Sequence, residues 1–512
     1  MIQKQQLKKD LYTYFHKHSF LPGQQEIIED ILAGRNVLGI LPTGSGKSLC
    51  YQLPAKKLPG TTIIVSPLIS LMTDQVKQLK ANQFKEVIAL NSFMDISERK
   101  KEYPRLAAYK LIYISPELLQ NDEVMSWLKK LTISLFVVDE AHCISHWGHE
   151  FRTDYLRLKD VIMYLGNPVI LALSATATKE VREDIIYSLD IHEVEQHIYP
   201  IDRQNIIYDV KKVNDDKEKL DHLIECIRTF HVPTIIYFSS RQTCEHIAEE
   251  LSRLVPERQI AHYHGGMEQM DRTLIQQQFM NDQIHVICAT SAFGMGINKQ
   301  NIRMVVHYHL PAQLESFIQE TGRAGRDGKS SMSLLLYKEN DQYIPKRFIE
   351  GELPTVNELI SVWNKMAILY TQAKPIPENI LDACHYFQLT ETQWRFLFYH
   401  MTKHGMIKGG NIIYDKDHWQ TVMDKLKPYI NERMEKKEKK LEKMIEWVSE
   451  NDCLRKQLFK EFQHTYTIPD GPCCSNCGYT YTDWNPAETK VEKSSKSWDI
   501  LLRQILMENG KK

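Results

Sequence analysis

The chain has 512 residues, of which 43% are apolar and 25% are charged. That length exceeds what one hydrophobic core usually serves, and the ordinary composition excludes a largely disordered chain. The 64 basic and 65 acidic residues nearly cancel, so any surface for a polyanion must be local. No apolar run is long enough to span a membrane and the N-terminal segment lacks a signal-peptide core, so we expect a cytoplasmic protein with no membrane partner.

Short apolar runs alternate with amphipathic stretches from about residue 27 to residue 200. Runs of five or six apolar residues predict parallel strands buried on both faces, with helices between them. The first series comprises NVLGIL, TTIIVSP, EVIALN, KLIYIS, ISLFVVDE and PVILALSA. A second series comprises TIIYFSS, QIAHYHG, IHVICAT, IRMVVHYH and SMSLLLY. The pattern predicts an α/β fold with two parallel-sheet domains, at residues 1–204 and 205–345.

The segment after the first predicted strand has the composition of a phosphate-binding loop. Glycines let the backbone approach phosphate oxygens, a lysine neutralises the β and γ phosphates, and a hydroxyl binds Mg²⁺. The residues expected to bind ATP here are Thr43, Gly44, Ser45, Gly46, Lys47 and Ser48. A glycine-rich turn beside a surface lysine is the alternative interpretation.

An acidic pair follows the strand ISLFVV, in the sequence Asp139-Glu140-Ala141-His142. An acid at the end of a buried strand beside a phosphate loop suits Mg²⁺, and the next glutamate suits polarisation of an attacking water. Together with the phosphate loop the pair predicts hydrolysis, and His142 is included among the catalytic candidates. Considered alone, the pair is more typical of a capped loop.

The sequence QETGRAGR, at residues 319–326, lies at the far end of the second series. Arg323 and Arg326 are three residues apart, so we expect them on one helical face from which they reach across a cleft to the γ phosphate. Gln319 opens the segment and is a further catalytic candidate. Because these residues and Lys47 lie in different domains, hydrolysis would depend on domain closure, which is a property of molecular motors.

The pattern becomes helical after the second domain. Two or three helices, a turn at Gly409–Gly410 and a short strand are typical of a winged-helix module, which we expect within a helical insert at residues 346–430. Trp394 and His400 of this insert belong either to a core or to a nucleic-acid contact. The charged helix that follows has Glu432 and Lys436 at i,i+4 spacing, and is either a solvated connector or a phosphate-backbone contact.

Four of the ten cysteines crowd near the end of the chain, which favours a metal site over a disulfide framework. A C-x₂-C unit with two more thiols suits tetrahedral zinc. The expected ligands are Cys453, Cys473, Cys474 and Cys477, with His464 as an alternative to Cys473 because two adjacent ligands strain a tetrahedron. We therefore expect a helical zinc-binding module at residues 431–485, followed by a polar tail at 486–512.

Taken together, these motifs resemble those of superfamily 2 helicases, and over residues 7–340 they resemble the RecQ family. Further segments carry the resemblance: FLPGQQE (20–26), VSPLISLMTDQV (65–76), YISPELL (113–119), ALSATAT (172–178) and ATSAFGMGINK (289–299). The resemblance implies two RecA-like domains and an adenine contact from Gln24. It also implies that Ser174 and Thr176 link nucleotide state to domain closure, which is compatible with helix capping by the same hydroxyls.

The stretch CISHWGHEFR, at residues 143–152, resembles the aromatic-rich loop with which RecQ enzymes sense single-stranded DNA. Trp147 and Phe151 suit stacking on bases of any identity, and Arg152 suits a phosphate or stacking contact. The alternative is that the two aromatic rings pack at the edge of a core. RecQ proteins also carry a four-cysteine zinc site after the helicase core. Only 35 residues follow Cys477, so we expect a short bacterial form of the family without an HRDC domain.

We therefore expect an ATP-dependent DNA helicase that uses ATP, Mg²⁺ and Zn²⁺. The resemblance implies 3′→5′ translocation on single-stranded DNA and unwinding of tailed or forked duplexes in repair, recombination or replication. We expect a monomer, with single-stranded-DNA-binding or recombination proteins as candidate partners. Two other functions stay open, an RNA helicase or remodeller and a non-catalytic DNA-binding scaffold. ATPase stimulation by RNA but not DNA favours the first, whereas the presence of Lys47 and Glu140 argues against the second.

Overall fold

The computed structural model describes residues 2–92, 94–145, 153–294, 299–463 and 465–486. Lobe 1 contains a seven-stranded parallel sheet in the order β3-β4-β2-β5-β6-β1-β7. Its elements are α1 Ile2–Phe15, α2 Gln24–Leu32, β1 Asn36–Ile40, α3 Leu49–Lys57, β2 Thr61–Val65, α4 Ile69–Ala81, β3 Val87–Leu90, α5 Ile96–Glu102, β4 Leu111–Ile114, α6 Asp122–Leu128, β5 Ile133–Val138, α7 Leu158–Tyr164, β6 Val169–Ser174, α8 Lys179–Leu189 and β7 Val194–Ile198.

Lobe 2 contains a six-stranded parallel sheet in the order β10-β11-β9-β12-β13-β8. Its elements are β8 Ile206–Lys212, α9 Asp216–Thr229, β9 Thr234–Tyr237, α10 Arg241–Leu254, β10 Ile260–Tyr263, α11 Gln269–Met280, β11 Val286–Ala289, β12 Met304–His307, α12 Leu314–Thr321 and β13 Ser331–Tyr337. The predicted α/β fold with two parallel sheets is confirmed.

Each sheet is buried on both faces, because successive residues of its strands point to opposite sides. In lobe 1, Leu38 and Ile40 of β1 pack in one core while Val37 packs in the other. In lobe 2, Ile236 and Ile235 of β9 divide in the same way between two further cores. This arrangement leaves the loops at the strand ends as the place where functional side chains meet.

Two edge strands lack a continuous apolar run, and the sequence did not predict them. β7 exposes every residue at least partly, and β8 loses its burial towards Lys212. The outer edge of β8 is covered by residues of the cysteine module, which we define as residues 450–486. The Tyr208 amide donates to the carbonyl oxygen of Cys473 over 3.2 Å, and Tyr208 forms a parallel bridge with Cys474.

Among the described residues after β13, the main regular elements are helices and one hairpin. Its elements are α13 Tyr343–Glu350, α14 Val356–Thr371, α15 Ile380–Phe387, α16 Glu391–Lys403, β14 Ile407–Lys408, β15 Asn411–Ile412, α17 Lys416–Ser449 and α18 Leu454–Phe459. Gly409 and Gly410 both have positive φ in the two-residue turn between β14 and β15, a conformation that glycine adopts without strain. The helices and hairpin therefore occur in the predicted winged-helix-like order.

The 34-residue helix α17 connects two cores. Its first half packs into the core of the insert through Trp419 and Leu426, and its second half packs against lobe 1 and lobe 2 through Leu441 and Met444. Trp394 of the insert is 4% exposed and stacks on a phenylalanine ring, so it belongs to a core. In the described part of the chain, no helix combines the length and apolar character of a membrane span.

Candidate functional site

The phosphate loop, residues 41–48, lies between β1 and α3. Gly44 and Gly46 adopt φ values of 83° and 67°, which a residue with a Cβ adopts only with strain. The Gln24 side-chain amide donates to the carbonyl oxygens of Ser45, at 2.7 Å, and Gly46, at 3.1 Å. Gln24 is 1% exposed, and it links the expected adenine-contact segment to the back of the phosphate loop.

The acidic pair lies beside the phosphate loop, at the end of β5. Burial and, less strongly, the neighbouring Glu140 raise the pKa of Asp139 to about 7, and the charge of Lys47 opposes the shift. Ser48, which the sequence predicted as a Mg²⁺ ligand, lies at the start of α3 in the same loop. The fold thus brings together the carboxylates, lysine and hydroxyl that were predicted from separate segments.

The acidic pair contacts the segment that follows β6. Glu140 has φ 49°, an uncommon value for a residue with a side chain, and its Oε2 lies 3.5 Å from Nδ1 of His142. That His142 nitrogen also forms a 2.9 Å hydrogen bond with Oγ of Ser174, whose hydroxyl donates to the Thr176 carbonyl oxygen over 3.0 Å. His142, Ser174 and Thr176, which form this series of contacts, are all buried. A displacement at Glu140 therefore reaches the loop after β6 directly.

Lobe 2 contributes the finger turn, which we define as residues 322–327. A Cβ built on Gly44 would lie 3.2 Å from Cγ of Arg326, so the Arg326 side chain packs directly on the phosphate loop. The Thr43 hydroxyl donates to the carbonyl oxygen of Gly322 over 2.9 Å. The two lobes are therefore in contact at the point where the sequence predicted a shared site.

The expectation that Arg323 and Arg326 share a helical face is wrong. Helix α12 ends at Thr321, and Gly325 has φ 56°, which breaks a helical path. Arg323 instead donates to the carbonyl oxygen of Gly294 within its own lobe, whereas Arg326 faces the phosphate loop. Gln319 is buried on α12, before the turn.

The guanidinium group of Arg326 is buried beside two other arginine side chains. Burial and, less strongly, the nearby guanidinium groups of Arg323 and Arg203 lower the pKa of Arg326 to about 9, while Tyr237 and Glu140 oppose the shift. A buried cation beside two others is stabilised when an anion binds among them. This electrostatic arrangement suits a negatively charged ligand between the lobes.

Trp147, Phe151 and Arg152, the predicted DNA contacts, lie outside the described residues. The residues that flank them are held in place. The Ser145 hydroxyl donates to Asp184 of α8 over 2.6 Å, and the Tyr155 hydroxyl donates to the carbonyl oxygen of Asp139 over 3.1 Å. Both ends of the aromatic-rich loop are thus tied to lobe 1, one of them to the acidic pair itself.

The four predicted zinc ligands converge. Their sulfur atoms all lie within 4.8 Å of one another. The Sγ separations are 3.5 Å for Cys453–Cys473, 4.0 Å for Cys474–Cys453 and 3.5 Å for Cys474–Cys477. Four thiolates about 2.3 Å from a central Zn²⁺ lie about 3.8 Å apart, so the cluster fits tetrahedral coordination. His464 lies outside the described residues.

Two functional candidates were missed by sequence reasoning. Arg203, between β7 and β8, donates to carbonyl oxygens of the finger turn, and Arg455, two residues after Cys453, pairs with Asp202 at 2.6 Å. For Arg455 the available sequence signal was its position two residues after a predicted metal ligand. A lone arginine in a linker gave no such signal for Arg203.

Comparison with known proteins agrees with this geometry. Residues 21–184 match the family model described as DEAD/DEAH box helicase, and residues 218–328 match that of the helicase conserved C-terminal domain. The chain is 41% identical to a Bacillus subtilis strain 168 protein named probable ATP-dependent DNA helicase RecS, over 98% of this chain and 97% of that protein. The chain belongs to the RecQ family of ATP-dependent DNA helicases. Its identity to the ATP-dependent DNA helicase RecQ of Haemophilus influenzae strain Rd is 39%, over 67% of this chain and 55% of that protein.

Solved structures of other helicases share the fold. The Mycobacterium smegmatis helicase Lhr bound to ssDNA and AMP-PNP has a TM-score of 0.58 at 20% identity, covering 80% of this chain and 59% of that one. A structure of Mss116p bound to ssRNA and AMP-PNP has the same TM-score at 15% identity, covering 91% of this chain and 96% of that one. As a RecQ-family member, this chain is an ATP-dependent DNA helicase built on the two-lobed fold.

Proposed function

We propose that this helicase translocates 3′→5′ on single-stranded DNA and unwinds tailed or forked duplexes during repair, recombination or replication. The observation that carries the proposal is the packing of Arg326, from lobe 2, on Gly44 of the lobe 1 phosphate loop. A site divided between two lobes makes hydrolysis depend on closure, and closure moves the surfaces that bind DNA. Candidate protein partners are single-stranded-DNA-binding and recombination proteins, in the cytoplasm.

ATP would bind between the phosphate loop and the finger turn. Lys47 neutralises the β and γ phosphates, and the loop lies directly before helix α3, whose N-terminus favours negative charge. Ser48 and Asp139 would hold Mg²⁺, which would supply positive charge to neutralise the phosphates. Thr43, Ser45 and Gly46 shape the loop, and Gln24 reads the adenine while its amide supports the loop carbonyls.

Hydrolysis would need a polarised water and a cation opposite Lys47. Glu140 accepts the proton of the attacking water, and Nδ1 of His142 lies 3.5 Å from Oε2 of that carboxylate. Arg326 stabilises charge that develops on the γ phosphate. Arg323 and Gln319 support the finger turn from within lobe 2. Loss of the γ phosphate would change the Glu140–His142 contact and, through Ser174, the loop that contains Thr176.

DNA would be sensed by the aromatic-rich loop that contains Trp147, Phe151 and Arg152. The support for this assignment is that Tyr155, three residues after Arg152 in the sequence, donates to the carbonyl oxygen of Asp139, and aromatic side chains suit stacking on bases. The four cysteines would hold a structural Zn²⁺ that closes the cysteine module over the outer edge of β8.

A strand-displacement assay with 3′-tailed, 5′-tailed and forked duplexes tests the proposal. We expect unwinding of the 3′-tailed and forked substrates only, together with ATPase stimulation by single-stranded DNA. Unwinding of the 5′-tailed duplex alone would contradict the polarity. ATPase stimulation by single-stranded RNA and not by DNA would favour an RNA remodeller, and ATP-independent strand separation would favour a non-catalytic scaffold.

A further inference from the structure

The finger turn is held by a residue that belongs to neither sheet. Arg203 lies in the interlobe linker, which we define as residues 199–205. Its guanidinium donates to the carbonyl oxygen of Gly322 over 2.9 Å and to that of Gly325. These two carbonyls flank Arg323, and Gly325 directly precedes Arg326. One side chain therefore binds two carbonyl oxygens of the finger turn, and the second belongs to the residue directly before Arg326.

The same carbonyl oxygens are also bound by other donors. The Gly322 oxygen accepts from the Thr43 hydroxyl of the phosphate loop, and the Gly325 oxygen accepts from the Asn205 side-chain amide over 2.8 Å. Arg203 thus belongs to a junction at which lobe 1, the linker and lobe 2 share acceptors. Hydrogen bonds from a charged donor are stronger and more directional than neutral ones, so Arg203 contributes most to the geometry of this junction.

The interlobe linker is in turn held by the cysteine module. Arg455 of α18 is 0% exposed, forms a 2.6 Å ion pair with Asp202 and donates to the carbonyl oxygens of Arg203, at 3.1 Å, and Ile206. The backbone amides of Ile201 and Asp202 both donate to Oε1 of Gln463, at 3.1 and 3.2 Å. Four linker and strand residues are therefore positioned by one buried arginine and one glutamine of this module.

The cysteine cluster lies next to helix α18, which carries Arg455, and next to strand β8. Cys453 is the residue from which α18 begins, and Arg455 lies two residues further along. The Cys473 carbonyl oxygen accepts from the Tyr208 amide on β8. Four coordinated cysteines would fix α18 against the strand that follows the linker, so that Arg455 meets the linker in one orientation.

We propose that Arg203 and Arg455 are positioning residues that connect the cysteine module to the arginine finger. Arg455 fixes the position of the linker backbone, and Arg203 fixes the positions of the Gly322 and Gly325 carbonyl groups. As a result, Arg326 points at the γ phosphate. The inference rests on the proposed role of Arg326 as the finger. It assigns the cysteine module a part in ATP hydrolysis.

Steady-state ATPase kinetics of Arg203→Ala, Arg455→Lys and Arg326→Ala, with saturating single-stranded DNA, test this inference. We expect kcat of Arg203→Ala and Arg455→Lys to fall about 10- to 100-fold with the KM for ATP little changed, which is the scale of a 1 Å misplacement. Arg258→Ala is the control, because Arg258 also donates to a backbone carbonyl of lobe 2, that of Val232, away from the cleft. Its kcat should match that of the parent protein.

A double variant separates positioning from general structural support. If Arg203 acts through the finger, Arg203→Ala combined with Arg326→Ala will be no slower than Arg326→Ala alone, because residues that act as a unit are not additive. Multiplicative losses, or an unchanged kcat in folded Arg203→Ala, would overturn the inference. Zinc content and melting temperature are measured on every variant, and Arg203→Lys replaces Arg203→Ala if the latter does not fold.

The same set of variants distinguishes the inference from the proposed function. An unchanged kcat in Arg326→Ala would refute the finger assignment itself. A strong loss in Arg326→Ala, with folded, zinc-loaded Arg203→Ala and Arg455→Lys at the parent rate, would refute only the positioning role. Loss of zinc from Arg455→Lys together with a normal kcat would likewise refute it, since the module would then not influence hydrolysis.

Discussion

The hydroxyl of Thr43 donates to the carbonyl oxygen of Gly322 over 2.9 Å, and this bond joins the phosphate loop of lobe 1 to the finger turn of lobe 2. The two residues are 279 positions apart in the chain. Their contact explains why one ATP site needs both RecA-like domains. In the same contact region the Arg326 side chain of lobe 2 packs on Gly44 of the phosphate loop.

Removal of the finger should impair the chemical step. We expect Arg326→Ala to lower kcat for DNA-stimulated ATP hydrolysis by about 10³- to 10⁵-fold, because the cation acts mainly on charge that develops in the transition state. Affinity for ADP, measured by fluorescence titration, should stay close to that of the parent protein. Arg228→Ala, which changes an exposed arginine of the same lobe that donates to the Leu254 carbonyl, is the matched control. Equal losses in both variants would contradict the finger assignment.

The raised pKa of Asp139 predicts a pH dependence of magnesium use. A carboxyl group with a pKa of about 7 is mostly protonated at pH 6 and mostly ionised at pH 8. Only the ionised form binds a cation well, so Mg²⁺ affinity should fall as the pH drops through about 7. We expect the Mg²⁺ concentration for half-maximal ATPase to be about tenfold higher at pH 6 than at pH 8.

The magnesium measurement needs a correction for ATP itself. The affinity of ATP for Mg²⁺ is determined in the same two buffers, and free Mg²⁺ is calculated from it. If the free Mg²⁺ concentration for half-maximal ATPase is the same at pH 6 and pH 8, Asp139 is ionised throughout that range. This result would also contradict Asp139 as the carboxylate whose burial governs metal binding.

Metal analysis tests the ligand set of the cysteine cluster. We expect about one Zn²⁺ per chain in the purified protein and a clear loss in Cys474→Ser, with a lower melting temperature. Because the Sγ of Cys473 lies 3.5 Å from that of Cys453, Cys473→Ser should lose zinc as well, whereas His464→Ala should retain it. Full zinc occupancy in Cys473→Ser, with loss in His464→Ala, would assign the fourth position to histidine.

The insert packs against lobe 1 close to the aromatic-rich loop. The guanidinium carbon of Arg157 lies 5.7 Å from the ring centre of Tyr399, which is 8% exposed. We expect Tyr399→Ala to raise the DNA concentration needed for half-maximal ATPase, because residues 153–157 continue directly from the loop. Tyr399→Phe keeps the ring and should behave like the parent protein. If Tyr399→Ala, once shown to be folded, responds to DNA normally, the insert does not influence the loop.

The sequence predicted the two-sheet fold because buried strands have a local apolar pattern, whereas the roles of the ATP-site residues stay predictions. Apolar runs gave the buried strands, and the phosphate loop and the acidic pair directly follow two of them. β7 and β8 were missed because edge strands lack a continuous apolar run. The helical face expected for Arg323 and Arg326 was wrong because α12 ends at Thr321 and Gly325, with positive φ, turns the chain between the two arginines. The sequence did not indicate a role for Arg203, because that role depends on the packing of the phosphate loop, the interlobe linker and the finger turn, which no local pattern specifies.

The central claim is that ATP hydrolysis at the interlobe site drives DNA unwinding. Its most direct test is the unwinding rate of a 3′-tailed duplex by Lys47→Ala, compared with the parent protein and with Lys179→Ala, which changes an exposed lysine of lobe 1. We expect Lys47→Ala to bind the DNA but to neither hydrolyse ATP nor unwind, and Lys179→Ala to do both. Unwinding by Lys47→Ala at the parent rate would contradict the account.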